Sequence, residues 1–202
     1  MAASDNIPIE FFNVCGNSFY FEIINAFLTK TDLQTDAFRS SSNGSKQCWI
    51  QSMDRKYLVL KTSEDFDFQD RNSEERQQSD CTFKIQIYQD TSKNETQPVM
   101  LYTKKSENQA MVVCCQNTRE VIPKTMDVHI FIPERKINDT GHKALFYWKK
   151  ISSNMYTFES TVYKGHFLAF EPIEDPSCLM KLTLRSSDEV DDSTKIFVTF
   201  QT

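Results

Sequence analysis

The sequence predicts an all-β protein, and three observations support this fold class. Apolar and polar residues alternate in short runs such as Ile85-Gln86-Ile87-Tyr88 and Leu182-Thr183-Leu184, the pattern of half-buried strands. Turn signals such as Asp54-Arg55 and Asp175-Pro176 separate these runs. No long amphipathic helical pattern is present in the sequence.

Short strands are predicted from Lys46 onward. They cover residues 47–53, 56–61, 82–88, 99–103, 110–115, 128–132, 144–149, 156–160, 167–170, 180–184 and 196–200. The charged stretch 65–79 is predicted as a long loop with a helical turn. About a dozen short strands in one unit indicate a β-barrel or a β-sandwich.

One hairpin pattern occurs twice in the sequence. Residues 158–171 predict two strands around a Lys164-Gly165 corner. Residues 49–61 have a similar order, in which a strand ends near Ser52 and an aromatic-Leu-apolar run follows. Repeated hairpins of this kind are typical of a β-trefoil, but the repeat is weak and leaves the sandwich open.

Composition excludes several classes of function. The 202-residue chain is 39% hydrophobic and 25% charged, which is enough to build a core. It has 4 glycines and no glycine-rich phosphate-binding motif. Most of the net charge of −5 lies in residues 1–36, so the remainder is nearly neutral and lacks the basic clusters of a nucleic-acid or heparin binder.

Residues 1–36 differ in composition from the rest of the chain. They are acidic and rich in aromatic residues, and we expect their apolar side chains to pack on folded protein. The following stretch, residues 39–45, is small and polar and is predicted as a flexible linker. No secretory signal is evident and no apolar run could span a bilayer, so synthesis in the cytosol is expected.

The cysteines and histidines suggest neither a metal site nor a catalytic site. The 6 cysteines show no CxxC spacing and are expected to be reduced and mostly buried. Because Cys114 and Cys115 are adjacent in a predicted strand, one thiol is expected to be exposed and oxidisable. His142 near Asp139, with this cysteine pair, is the only catalytic candidate, and a solvated turn is the better interpretation of His142. No cofactor is predicted.

Hairpin 158–171 resembles the signature hairpin of interleukin-1 family cytokines. Other segments that resemble the family follow in family order: Phe19-Tyr20-Phe21, residues 83–90, Ile137-Asn138-Asp139-Thr140, Leu145-Phe146-Tyr147 and residues 196–201. The resemblance implies a β-trefoil of about twelve strands, preceded by an N-terminal pro-segment. It also implies a non-enzymatic, pro-inflammatory cytokine that bridges two immunoglobulin-domain receptor chains outside the cell.

The resemblance also implies a processing site. The sequence Leu33-Gln34-Thr35-Asp36-Ala37-Phe38 resembles the site at which inflammatory caspases cut, after an Asp with a bulky apolar residue three positions earlier. It lies at the composition shift, immediately before the predicted linker. We therefore expect residues 1–36 to be a removable pro-segment and residues 37–202 to be the mature cytokine, secreted without a signal peptide.

Receptor contacts are expected at positions that match the family's binding surfaces. They are Gln51, Asp54, Arg55, Arg119, Lys124, Lys149 and Asp175. The family pattern is broken at Gln89 and Val99, where basic residues are expected. A solvated turn is an equally good interpretation of each charged position.

A different class of function remains open at this stage. Trefoil protease inhibitors and carbohydrate-binding modules share the predicted architecture. Against them, the chain has only Trp49 and Trp148 as tryptophans and no clear triplicated motif. The cytokine interpretation implies a monomer that binds receptors and a soluble binding-protein antagonist, with no nucleic-acid partner and no membrane insertion.

Overall fold

The computed structural model describes residues 9–15, 18–23, 38–90, 97–131, 136–137, 141–173, 180–186 and 192–201. The chain forms two compact units, Met1–Thr35 and Asp36–Thr202. The first unit contains an antiparallel hairpin of β1 (Ile9–Cys15) and β2 (Ser18–Ile23).

The second unit contains a sheet of thirteen strands. In chain order they are β3 (Phe38–Gln51), β4 (Tyr57–Leu60), β5 (Phe66–Gln69), β6 (Phe83–Asp90), β7 (Gln97–Lys104), β8 (Gln109–Cys115), β9 (Val121–Asp127), β10 (Lys136–Ile137), β11 (Phe146–Lys150), β12 (Met155–Ser160), β13 (His166–Pro172), β14 (Met180–Ser186) and β15 (Ile196–Phe200). The helical elements among the described residues are three 3₁₀ turns, Glu75–Gln77, Val128–Phe131 and Asp192–Thr194. Each is far too short to cross a membrane.

Six of these strands close into a barrel. β3 pairs with β6, β6 with β7, β7 with β11, β11 with β12, β12 with β15, and β15 returns to β3. All six pairings are antiparallel. The ring has no free edge, so its backbone groups pair around the full circumference.

Three two-stranded hairpins complete the architecture. They are β4 with β5, β8 with β9, and β13 with β14. Each hairpin lies between two barrel strands in the sequence, so the order barrel, hairpin, hairpin, barrel occurs three times. The twelve strands of this repeat form a β-trefoil, which confirms the predicted fold class; β10 is an additional short strand paired to β3.

The predicted repeat is present as two equivalent hairpins. β3 pairs with β4 through Gln51 and Tyr57, and β12 pairs with β13 through Glu159 and Phe167. In both cases a single residue pair joins a barrel strand to the first strand of the following hairpin. The glycine of the second corner, Gly165, has a φ of 73° and donates its N–H to the Glu159 carboxylate at 2.8 Å.

The barrel interior is the main hydrophobic core. Alternate residues of the barrel strands point inward. Leu168 and Phe170 of the hairpin strand β13 pack against them and belong to the same core. The fully buried aromatic side chains of Phe83, Phe146 and Phe158 occupy this core. Hairpin 158–171 therefore contributes mainly structure.

A second core lies on the other face of β8. It contains Ala110, Val112 and Cys114 of that strand and is covered by Phe131. The Phe131 ring stacks on Tyr102 at 3.8 Å between ring centroids. The strand predicted at 128–132 is therefore wrong, because residues 128–131 form a 3₁₀ turn that places Phe131 over this core.

The prediction that one thiol of the pair Cys114 and Cys115 is exposed is also wrong. Both faces of β8 are buried, so Cys115 lies in the main core and Cys114 in the second core. Burial raises the pKa of Cys114 and raises that of Cys115 to about 12, so neither thiol is activated for oxidation. Cys48 and Cys81 are likewise buried free thiols.

Three further segments differ from expectation. Residues 39–45, predicted as a linker, belong to β3, which pairs with β6 on both sides of an irregularity between Ser40 and Ser45. The predicted loop 65–79 contains β5 as well as the expected helical turn. Strand β9 was not predicted, because Pro123 and Lys124 obscure its apolar alternation.

Candidate functional site

The turn between β3 and β4 is a compact, exposed structure. Arg55 donates its N–H to the carbonyl of Ser52 at 3.0 Å, and Ser52 donates its own to the carbonyl of Lys56 at 2.9 Å. Arg55 has a φ of 65°, a left-handed conformation that reverses the chain. Asp54 and Arg55 are exposed at the tip.

Gln51 supports this turn from below. Its side-chain amide donates to the carbonyl of Arg55 at 3.0 Å, and only 8% of the residue is exposed. Gln51 therefore helps to position the turn, and its direct contact with a receptor stays a prediction.

Arg55 is held against the neighbouring barrel strand. Its guanidinium carbon lies 4.1 Å from the centroid of the Phe197 ring. A cation–π contact of this kind contributes about 0.5–1 kcal/mol at an exposed site. The side chain is thus held in one orientation, while the residue stays exposed at the surface.

A groove of about 570 Å³ lies beside the turn. Phe170, Pro172 and Met180 supply apolar surface, and Asp54, Lys56, Arg185 and Asp192 place charges around it. An apolar floor with a polar rim is the usual anatomy of a protein–protein interface. Asp54 could be predicted from the sequence, but the apolar residues of this groove could not. They lie on β13 and β14, which meet the β3–β4 turn only in the folded chain.

Arg119 lies in the turn before strand β9, and Lys124 lies on that strand. Asn117 accepts the N–H groups of Arg119 and Glu120 through its side-chain oxygen, each at 2.9 Å, which fixes the β8–β9 turn. The Arg119 carbonyl accepts the N–H of Leu184 at 3.0 Å, so the turn is fastened to β14. Both basic side chains are exposed, and Arg119 lines adjoining grooves of about 420 and 640 Å³.

Lys149 is exposed near the end of β11, opposite Thr157 of β12. It is followed by exposed Lys150 and by Ile151, which is 48% exposed. The structure thus places the expected basic positions on different elements, with Arg55, Arg119 and Lys149 in three separate parts of the trefoil.

Four expected site residues lie outside the described residues. They are Leu33, Asp36 and Ala37 of the processing site, and Asp175 after the signature hairpin.

The catalytic alternative finds no support in the geometry. His142 accepts the N–H of Ala144 at 3.2 Å through Nδ1, and its carbonyl accepts the hydroxyl of Thr161 at 3.2 Å. These bonds give His142 a role in the turn before β11. Within the described ranges, no group of three or more His, Cys, Asp or Glu side chains could hold a metal ion.

Comparison with known proteins decides between the classes that share this fold. Residues 69–195 match the family described as Interleukin-1 / 18. The chain belongs to the interleukin-1/18 family. Its members are signalling proteins without enzymatic activity, so the catalytic interpretation is excluded.

Curated relatives in the family are proteins named interleukin-18. The chain is 29% identical to interleukin-18 of Canis lupus familiaris over 133 residues, which is 61% of this chain and 63% of the canine protein. The values for interleukin-18 of Felis catus are the same. The chain thus matches less than two thirds of the length of these relatives.

Solved structures support the fold. Chicken interleukin-1 beta superimposes with a TM-score of 0.51 at 15% identity, covering 80% of this chain and 99% of the chicken chain. A mutant of Gallus interleukin-1 beta gives a TM-score of 0.54 at 15% identity with the same coverage. At this identity the likeness concerns the fold alone, which is the β-trefoil.

Proposed function

We propose that this chain is the precursor of a pro-inflammatory cytokine of the interleukin-18 type. An inflammatory caspase cuts it after Asp36, and residues 37–202 leave the cytoplasm without a signal peptide. Outside the cell the mature form, a monomer, bridges two receptor chains of the interleukin-18 type and promotes interferon-gamma production and NF-κB signalling. Family membership over residues 69–195 is the observation that carries this proposal.

Receptor binding centres on the β3–β4 turn in this proposal. The turn is held by backbone hydrogen bonds, by Gln51 beneath it and by Phe197 beside Arg55. A surface that is already ordered loses little conformational entropy on binding. Asp54 supplies a charge at the tip, and the groove beside it supplies apolar surface for a receptor side chain. Lys149, Arg119 and Lys124 serve the same two receptor chains from other faces, with Asp175 as a further contact.

The pro-segment keeps the precursor inactive in this proposal. Its support is the similarity of residues 33–38 to a caspase site and the concentration of apolar side chains before it. A soluble binding protein that competes for the receptor surface acts as an antagonist of the mature form.

The role of Asp54 is tested by substitution to Asn, measured as binding of the caspase-treated chain to immobilised receptor chains. Loss of a central interface charge is expected to raise the dissociation constant at least about tenfold. The matched control is Glu107→Gln, which makes the same chemical change in the exposed β7–β8 turn and should leave binding unchanged. Equal affinity of both variants and the wild type would move the contact away from Asp54. No binding by the treated wild-type chain to either receptor chain would refute the cytokine proposal.

A further inference from the structure

The outer surface of the barrel near the C-terminus carries a groove that the receptor surface does not use. It encloses about 400 Å³ and is lined by Gln47, Trp49, Gln77, Thr82, Phe200 and Gln201. None of these residues lines the groove beside Asp54. The volume lies in the range of sites that hold small ligands.

The groove arises from strand alternation. Cys48 and Ile50 of β3 point into the core, so Gln47 and Trp49, which alternate with them along the strand, point outward. The chain leaving β15 runs beside them, since Gln201 donates its N–H to the carbonyl of Gln47 at 3.0 Å. Gln77 arrives from the 3₁₀ turn Glu75–Gln77.

The indole of Trp49 is fixed in place by a hydrogen bond and a cation–π contact outside the two hydrophobic cores. Its Nε1–H donates to the carbonyl of Arg76 at 2.8 Å, and the Arg76 guanidinium lies 5.2 Å from the indole centroid. The guanidinium is itself held by hydrogen bonds to the Tyr57 hydroxyl and the Ser73 hydroxyl, both at 3.0 Å. The Arg76 guanidinium occupies one face of the indole, so the opposite face of this partly exposed and firmly held ring is the one left for a ligand.

The polar groups of the groove are amides and one hydroxyl. Gln47 donates from its side-chain nitrogen to the side-chain oxygen of Gln201 at 2.5 Å. The side-chain nitrogen of Gln201 is shielded from water and has no acceptor among the described residues. A rotation of the terminal amide would present this nitrogen to a ligand oxygen but would break the hydrogen bond from Gln47, so the Gln47 amide would then also bond to the ligand.

The combination identifies the chemistry of the ligand. A pyranose ring has an apolar C–H face that stacks on aromatic rings and a rim of hydroxyls that both donate and accept. Planar amides and a threonine hydroxyl match such a rim, since each can donate and accept. The six lining residues carry no charge, and the nearby cations Lys46 and Arg76 are set over the rings of Phe200 and Trp49. The groove therefore disfavours cationic ligands.

We propose that this groove, defined by Gln47, Trp49, Gln77, Thr82, Phe200 and Gln201, is a binding subsite for one or two rings of a neutral glycan. The site adds glycan recognition to the receptor-binding protein and does not replace it. A glycan on a cell-surface protein would in this way hold the cytokine near the membrane that carries its receptors.

The test is a titration of the isotope-labelled full chain with glucose, galactose, mannose, N-acetylglucosamine and their neutral oligosaccharides, followed by NMR. At least one sugar is expected to shift the indole N–H resonance of Trp49 and the side-chain amides of Gln47, Gln77 and Gln201 in a saturable way. The expected dissociation constant is about 1 mM, typical of a small ligand in an open groove. The side-chain amide resonances of Gln109, an exposed residue on β8 that does not line the groove, report on unrelated changes.

Two surface variants make the test specific. Gln47→Ala and Gln77→Ala remove exposed amides and are each expected to weaken binding at least about fivefold, or about 1 kcal/mol. Gln109→Ala, at an exposed amide on β8, is the matched control and should bind as the wild type does. The proposal is overturned if no neutral sugar shifts these resonances, if only acidic saccharides do so, or if Gln47→Ala and Gln77→Ala bind with unchanged affinity. Receptor affinity of the same variants separates this result from the proposed function, since it should not change.

Discussion

Asp67 illustrates how a single polar residue is accommodated inside the trefoil. Its side chain is 2% exposed, and it forms an ion pair with Lys61 at 3.0 Å. Burial by itself would raise its pKa, but hydrogen bonds from Gln69 and Lys61, the N–H of Phe68 and the charge of Lys61 outweigh burial. The pKa of Asp67 is therefore lowered, and the folded state favours the carboxylate.

A lowered pKa makes stability depend on pH. The carboxylate binds protons more weakly in the folded state than in the unfolded state, so its contribution is present at neutral pH and is lost as the pH falls below about 4. Asp67→Asn is expected to lower the free energy of unfolding at pH 7 by about 1–3 kcal/mol. It should also flatten the decline of stability as the pH falls below about 4. Urea unfolding at several pH values measures both effects.

The control for this prediction is Asp65→Asn, which changes an exposed carboxylate two residues away. Because this side chain is exposed, the substitution should leave the stability at pH 7 unchanged. Identical profiles for Asp67→Asn and the wild type would show that the buried carboxylate contributes nothing to acid sensitivity.

At the scale of elements, some turns require a backbone conformation that only certain residues adopt easily. Gly165, between β12 and β13, has a φ of 73°, which is unfavourable for residues with a Cβ atom. Gly165→Ala is expected to lower the free energy of unfolding by about 1–2 kcal/mol. The control is Lys164→Ala, at the exposed neighbouring residue of the same turn, whose φ is not positive. Thermal unfolding of both variants measures the difference, and equal losses would contradict a conformational role specific to Gly165.

Elements with regular alternation could be predicted from the sequence, and irregular ones could not. Strands β6, β12 and β14 were recognised because apolar and polar residues alternate along them, although Gln86 of β6 and Thr183 of β14 are also buried. Strand β8 was recognised as a strand, but its second buried face was not, because the sequence does not show that Phe131 will cover it. Residues 128–131 were misassigned for the same reason, since a tertiary contact overrides their β propensity.

The candidate site was predictable only in part. Asp54 and Arg55 could be placed in a turn because an Asp-Arg pair between two apolar runs is a turn signal, whereas their expected receptor contact came from the family resemblance. Gln51 could be named but not understood, since its bond to the Arg55 carbonyl exists only in the folded turn. The groove floor of Phe170 and Met180 and the Trp49 groove both depend on segments far apart in sequence. Sequence patterns carry no information about such encounters.

At the scale of the whole molecule, the three repeats share one arrangement of strands and differ in the residues of their surface turns. The barrel ring and the three hairpins are built alike, yet each turn presents different charges. A fold of this kind hosts many activities, so function depends on these surface groups. In our account, activity also depends on residues 1–36, which hold the receptor affinity low until they are removed.

Receptor binding by the full chain before and after treatment with an inflammatory caspase tests this account most directly. The new N-terminus is sequenced in parallel, and Asp36→Ala serves as the uncut control. The account predicts cleavage that exposes Ala37 and a gain in receptor affinity of at least about tenfold, as expected when a binding-competent state is released. It also predicts no cleavage after residue 36 and no gain for Asp36→Ala. Equal affinity before and after cleavage, or a new N-terminus other than Ala37, would contradict it.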